Sequence, residues 1–329
     1  MGVIFKTIKI LCVIICIIFV LLLLVRIGEK IMFGSFYSNS DREFKTPGFK
    51  DGFVQQGFTY YEDEELFLVS GYMTKDRASR IYMVDEDGKA TYVTLKNADG
   101  SDYTSHAGGI AIFENYVYLA NADEALIDVF PLDQILDGGV ASKTDSFATG
   151  EMIPAFCYIY EAENGDSYLI TGEFYREDDY ETPESHRLTT PSGAQNNALA
   201  YAYKLSSEAT LGIENGVRAL ISLPNQVQGL CITDAGNLVV STSWGLSKSH
   251  IYVYDTTALV AGESDVLGET LPIYYLDSAT MTADITAPPM AEELVYLDGE
   301  LYIMNESASA KYIFGRFLSG KRIFAYEMD

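Results

Sequence analysis

Histidine, tryptophan and cysteine are scarce in this chain, and basic side chains are heavily outnumbered. Three histidines, His106, His186 and His250, leave too few imidazoles for a multi-histidine metal centre. The four cysteines include no Cys-x-x-Cys pair. Cys12 and Cys16 sit in an apolar run without a lipoprotein-type context, and Cys157 and Cys231 read as small core residues rather than a disulfide. Also missing are a Gly-x-Ser-x-Gly nucleophile elbow, a His-Glu-x-x-His zinc helix and a Gly-rich phosphate loop, so the common hydrolase and nucleotide-binding chemistries have no motif to rest on. Lysine and arginine number 22 against 47 aspartates and glutamates, for a formal net charge of −25. Residues 1–30 hold four of those basic residues and one of the acidic ones, leaving 18 against 46 in the remainder. Nucleic acid is bound by neutralising its phosphates with Lys and Arg, and this surface would repel it. The acidity reads first as solubility in a salty exterior.

Long apolar runs are also rare, and there is one. Residues 10–25 (ILCVIICIIFVLLLLV) are flanked by Lys6 and Lys9 before and by Arg26 and Lys30 after. The run is slightly short of the roughly 20 residues a perpendicular helix needs, but Ile8 and Ile27 extend it and the flanking bases can snorkel. A cleaved secretory signal would carry a small-x-small site next, and Val25-Arg26-Ile27-Gly28-Glu29-Lys30 offers none. The expectation is an uncleaved single-pass anchor in the cell membrane, with a short cytoplasmic N-terminus and an extracytoplasmic C-terminal domain. Residues 1–30 form the anchor segment, 31–50 a linker with a candidate ring-closing strand, and 51–329 the folded domain.

That domain repeats a hairpin five times. The inner strands begin Gln56-Gly57-Phe58-Thr59-Tyr60, Gly108-Gly109-Ile110-Ala111-Ile112, Pro154-Ala155-Phe156-Cys157-Tyr158, Gln228-Gly229-Leu230-Cys231-Ile232 and Glu292-Glu293-Leu294-Val295-Tyr296. Each passes through a polar turn into a second apolar strand. Aligned, one column is large and apolar (Phe58, Ile110, Phe156, Leu230, Leu294), and so is the column two residues on, while the residue between is small or slender (Thr59, Ala111, Cys157, Cys231, Val295). Period-2 patterning of this kind is that of strands. Third and fourth strands follow most hairpins, as at Arg80-Ile81-Tyr82-Met83-Val84 and Ala90-Thr91-Tyr92-Val93-Thr94-Leu95. The fold class predicted is all-β, a β-propeller of four-stranded blades, five by count with six left open because the third repeat is long. The excess, residues 176–195, reads as a loop. The last repeat stops after three strands, and a segment around Arg42 to Thr46 could supply the fourth and close the ring.

In such a hairpin the start of the inner strand and the end of the second strand lie at the same mouth of the channel. Candidate ligand-binding residues there are Gln56, His106, Gln228, Trp244 and Glu292, with His106 the one candidate for catalysis. Trp244 is the sole tryptophan and could stack on a sugar or another ring, or simply pack. Asn121, Glu173, Asn305 and Glu306 supply the oxygen ligands that would suit calcium or another divalent cation. The partner expected at the mouth is a small molecule, a glycan or a protein; the membrane is a second partner through the helix, nucleic acid is excluded, and a monomer is expected.

The segments Ser105-His106-Ala107-Gly108-Gly109-Ile110-Ala111-Ile112 and Tyr116-Val117-Tyr118-Leu119-Ala120-Asn121, with Gln-Gly at 56–57 and 228–229, resemble secreted bacterial β-propellers of the broad YVTN and SMP-30/gluconolactonase-like group. The likeness covers most of residues 50–329 and lies in repeat residues, so it speaks for fold more than activity. It implies a six-bladed ring with a divalent metal held by a Glu at the start of the first blade and by Asn and Asp at later mouths. Here that first position is Gln56, a departure, and Asn121 and Asn305 are the nearest matches. Two functions follow as expectations: a ligand-binding or protein-interaction module, favoured by the missing catalytic motifs, and as the alternative a metal-dependent lactonase or esterase. If the anchor is uncleaved, membrane fractions should retain full-length protein and external protease should release the domain; a soluble form starting near residue 30 or later would contradict it.

Overall fold

The computed structural model describes residues 2–309, 311–312 and 320–328. An N-terminal helix spans Gly2–Met32; its segment Ile4–Met32, 29 residues long with an 18-residue window of mean hydropathy 3.5, leaves most of its large apolar side chains uncovered. At about 1.5 Å per residue it exceeds the roughly 30 Å hydrocarbon core of a bilayer. Its length and composition therefore suit a membrane anchor or a signal sequence, and the apolar helix is longer than the run at 10–25 suggested.

Five blades follow, one for each repeat, each built on antiparallel strands. Blade 1 consists of Phe53–Tyr61, Leu66–Met73, Arg77–Val84 and Ala90–Lys96, and blade 2 of Ile110–Phe113, Tyr116–Asn121, Leu126–Pro131 and Asp145–Ala148. Blade 3 has Phe156–Glu161, Ser167–Gly172, Ala198–Leu205 and Ile213–Leu223; blade 4 has Val227–Ile232, Leu238–Thr242, Ser249–Tyr254 and Met281–Ala287. Blade 5 is Ala291–Leu297, Glu300–Asn305 and Arg322–Glu327, completed by Ser40–Lys45 from the other end of the chain. The ring is thus five-bladed. Adjacent inner strands touch all the way round, and the core is divided into five clusters, one between each pair of neighbouring blades.

Two blades carry more strands than the repeat pattern contains. Gly139–Ser142 leaves blade 2 and pairs in parallel with Ala90–Lys96 of blade 1. Likewise Leu271–Tyr275 leaves blade 4 to pair in parallel with Ile213–Leu223 of blade 3, and Ala261–Ser264 pairs with it in turn. Each strap covers the outer edge of a blade, where unpaired backbone would otherwise invite association. The long loop of blade 3 also holds a short ribbon, Leu188–Thr189 with Gln195–Asn196, that its polar, proline-containing sequence did not announce.

The glycines at the start of three of the five repeats, Gly57, Gly109 and Gly229, are explained by close approach. A Cβ on Gly109 would lie 2.3 Å from the Phe156 Cα, and one on Gly229 would lie 2.6 Å from the Glu293 Cα, so only glycine lets neighbouring inner strands converge there. Serines fasten the same level: Ser70 Oγ donates to the Gly108 carbonyl at 2.6 Å, and Ser241 Oγ to the Glu292 carbonyl at 2.5 Å, each bond reaching from one blade to the next.

The alignment of the third repeat needs correction by one residue. Phe58, Ile110, Leu230 and Leu294 pack against the preceding blade, whereas Phe156 packs against blade 4 and Cys157 faces blade 2. A one-residue shift exchanges the two faces of a strand, and the large Phe156 and Tyr158 flanking the small Cys157 hide it by imitating the large-small-large pattern of the other repeats. Cys157 and Cys231 therefore face different interfaces rather than equivalent ones; both are free and buried, as a core role requires.

Closure of the ring also draws in residues expected to be linker. Phe33 and Phe36 are buried between blades 4 and 5, and the Phe36 ring lies 5.5 Å from Phe324 and 5.7 Å from Tyr326. Phe36→Ala should cost about 3–5 kcal/mol in chemical denaturation, as for other buried phenylalanines. A chain starting at Thr46 should aggregate on size exclusion, while one starting at Phe33 should remain monodisperse.

Candidate functional site at the channel mouth

Each inner strand bonds its second strand along one edge and turns its other edge, with unpaired N–H groups, toward the channel. Glu293 of blade 5 meets three of them. Its Oε2 accepts from the N–H of Phe58 at 2.6 Å and of Ile110 at 3.0 Å, and its Oε1 from that of Cys157 at 3.0 Å. One carboxylate thus gathers blades 1, 2 and 3 on the axis. Its removal from water outweighs these three bonds and pushes its carboxyl up to about 8.

Next to this pin, at the mouth where the inner strands begin, lie Glu292 and Glu306, both buried. Burial, then the charges of Glu306 and Glu293, raise Glu292 well above the usual carboxylate range. Glu306 Oε1 accepts from Gln56 Nε2 at 2.9 Å and from the Tyr312 hydroxyl at 2.9 Å, and burial pushes it up to about 7 against those bonds and the Lys311 charge. Gln56 Nε2 also donates to the Gln55 carbonyl at 2.7 Å, so Gln56 Oε1 is left as an acceptor. The His106 Nε2 contacts it and must carry the proton, which leaves Nδ1 as the basic nitrogen. Burial lowers the His106 pKa, the Lys311 charge adding to it and the Asp123 charge opposing. The His106 ring lies 4.8 Å from that of Tyr72, whose hydroxyl accepts from Lys311 Nζ. A further pair, Gln55 and Asn305, is joined by a 2.6 Å bond from Gln55 Nε2 to the Asn305 carbonyl, while Gln55 Oε1 and Asn305 Oδ1 are buried without a hydrogen-bond partner among the described residues.

An aromatic wall adjoins this group. Phe174 lies 5.3 Å from Tyr180 and 6.0 Å from Trp244, and Tyr180 lies 5.7 Å from Trp244. The Arg176 guanidinium sits 4.2 Å over the Trp244 ring, so the more open surface belongs to Tyr180, which is 53% exposed. Phe174 and Trp244 each lie two residues beyond a second strand, at the same mouth as Tyr72, whose hydroxyl pKa is raised by burial and then by Glu306, against the hydrogen bond with Tyr312, with Glu292 and Tyr180 adding to it. Gln228 reaches the same corner, its Nε2 3.4 Å from Ser243 Oγ beside Trp244.

Of the sequence candidates, Gln56, His106, Glu292 and Glu306 form one connected group, with Gln228 and Trp244 at the aromatic side. The four proposed metal ligands do not come together. Asn121 donates at 2.7 Å to Asp128, within a buried blade 2 network that includes Tyr103 and Lys143. Glu173 is engaged by His186 at 2.8 Å and by the Leu199 N–H at 3.0 Å, and Asn305 Nδ2 donates to the carbonyls of Pro288 and Pro289. Each satisfies buried polar groups of its own neighbourhood, which identity at a strand end cannot reveal. Among the described residues no group of three or more His, Cys, Asp and Glu is placed to hold a metal ion. Sequence reasoning missed Tyr72, Tyr180, Lys311 and Tyr312. A position rule would have found Tyr72: it and Ser243 each lie two residues beyond the serine that pairs with an inner-strand glycine, Ser70 with Gly57 and Ser241 with Gly229.

The arrangement can hold a proton on one carboxyl near neutral pH while a neighbour accepts, and can present hydrogen-bond donors and acceptors beside aromatic faces. No protein-family model matches the chain, and no curated protein matches it. Among solved structures it is similar to a thermostable family-43 glycoside hydrolase, at 9% identity over 85% of this chain and 91% of that one with a TM-score of 0.46. It is also similar to the PQQ-bound aldose sugar dehydrogenase of Streptomyces coelicolor, at 12% identity over 87% and 95% with a TM-score of 0.43. A chain of the nidogen/laminin complex matches at 12% identity over 77% and 73%, with a TM-score of 0.39.

The raised carboxyl at the axis has a consequence for stability. With its folded value near 8 and its ordinary value 4.5, Glu293 binds a proton in the folded state that the unfolded chain has released, so stability should fall as pH rises through that window. At about 1.4 kcal/mol per unit of difference the loss is a few kcal/mol. Melting curves across this range should show a falling midpoint for the parent and a flatter profile for Glu293→Gln; parallel profiles would rule the assignment out.

Proposed function

We propose that the protein is a membrane-tethered extracytoplasmic propeller that binds a ligand at the mouth where the inner strands begin, and that the ligand is a neutral glycan or similar polyol. The observation that carries this reading is the placement, at one mouth, of a buried carboxyl–amide–imidazole group and an aromatic wall at the ends of the second strands of blades 3 and 4. Sugars are held by this pairing: apolar C–H faces lie on aromatic rings, while hydroxyls exchange hydrogen bonds with carboxyl and amide groups. Gln55 Oε1 and Asn305 Oδ1, buried acceptors without partners among the described residues, match a ligand rich in O–H donors. The apolar helix supports tethering by its length and uncovered side chains. The metal-dependent lactonase or esterase alternative gains no support from the geometry, because Asn121 and Glu173 are committed elsewhere.

Trp244, the only tryptophan, is a built-in reporter. Titration with a panel of neutral mono- and oligosaccharides should produce a saturable change in its emission with at least one of them. Affinity should fall roughly tenfold or more in Tyr180→Ala and in Glu306→Gln, since each removes a contact in the range of 1–2 kcal/mol. A panel without any saturable change would remove the glycan reading.

A further inference from the structure

The opposite end of the channel, where inner strands turn into second strands, is a cavity of 610 Å³. Its innermost residues include Phe58, Cys157 and Leu294, at the level where Glu293 binds the Phe58 and Cys157 N–H groups. The two mouths are therefore separate compartments. Tyr60 and Tyr61 of blade 1, Tyr158 and Tyr160 of blade 3 and Tyr296 of blade 5 line it, all half-buried. Two of these rings are pinned: the Tyr158 hydroxyl accepts from the Ile232 N–H at 3.2 Å, and that of Tyr61 donates to Asp63 at 3.1 Å.

The charge around these rings has one sign. Glu62, Asp63, Glu114, Glu161 and Asp234 contribute to the lining, and among the described residues no Lys, Arg or His does. Such a cavity repels anions. A bare metal ion would need several oxygens converging at bonding distance, and aromatic walls do not provide them. An alkylated ammonium group is matched on both counts, since its positive charge is attracted to ring faces and carboxylates while its methyl or methylene groups lie on the rings. Glycan binding asks for hydroxyl partners instead, so the two ends of the channel differ in the ligand they suit.

The cavity also lies at the end of blade 5 that receives the N-terminal helix. Ser40 pairs with Tyr326, Tyr326 with Leu301, and Leu301 with Tyr296 of the cavity wall. Phe33 and Phe36, which follow the helix, share a core cluster with Tyr158 and Tyr296.

We infer that this tyrosine-walled cavity is a binding site for an organic ammonium group, carried either by a lipid headgroup or by a soluble amine. The headgroup source rests on the tethering proposed above, whereas the ammonium chemistry does not.

The test uses full-length protein in a polyoxyethylene detergent, titrated calorimetrically with tetramethylammonium chloride against sodium chloride at equal ionic strength. Saturable binding is expected. It should weaken roughly tenfold in Tyr160→Ala, persist in Tyr160→Phe, and weaken in Glu161→Gln, whose exposed site leaves folding intact. Tyr180→Ala should leave it unchanged, which keeps this result separate from any failure at the other mouth. Competition by both choline and glycerophosphocholine would mark the headgroup as the source; competition by choline alone would mark a soluble amine. Absence of saturable binding, or binding indifferent to both Tyr160→Ala and Glu161→Gln, would overturn the inference.

Discussion

A ring of blades has to solve one problem that a single sheet does not: every inner strand turns an unpaired edge toward the axis, and the edges must be satisfied without water filling the middle. Glu293 does this for three blades at once, its two oxygens accepting the Phe58, Ile110 and Cys157 N–H groups. The glycines at 57, 109 and 229 follow from the same constraint, because strands drawn to a common point leave no room for a Cβ. So does the division of the channel. With the Glu293 carboxyl on the axis and its backbone partners drawn in around it, the two mouths lie on either side of it and can carry different chemistry.

They do differ. Where the inner strands begin, carboxyls, amides and an imidazole are knitted together by bonds such as Gln56 to Glu306, with Lys311 and Arg176 supplying positive charge beside aromatic rings. Where those strands end, tyrosines and carboxylates occur without any described base. The first environment suits a ligand that exchanges hydrogen bonds, the second one that carries a positive charge. Because Ser40–Lys45 joins blade 5, the apolar helix meets the ring at the second end.

Burial sets the electrostatics at the axis and the first mouth. Glu292, Glu293 and Glu306 are adjacent acids taken out of water in a chain of net charge −25, and each has its proton affinity raised. Three backbone donors on Glu293, and Gln56 and Tyr312 on Glu306, oppose the shift without cancelling it.

The sequence by itself determined the apolar helix, the five hairpins and the closure of the ring through residues near Arg42, because alternation, turns and a missing last strand are local patterns legible one segment at a time. It also singled out Gln56, His106, Glu292 and Glu306 by their place at strand ends. It misjudged the phase of the third repeat, where large aromatics on both sides of Cys157 imitate the pattern of the other repeats, and it had no pattern for the straps at 139–142 and 261–275, whose pairing is with another blade. Only the tertiary structure decided which polar groups meet. Asn121 and Glu306 look alike as polar ends of second strands, yet one turns to Asp128 within its own blade and the other to Gln56 across the ring. The reason is physical: a partner such as the one Glu293 finds in Phe58, 235 residues away, exists only once the ring has closed.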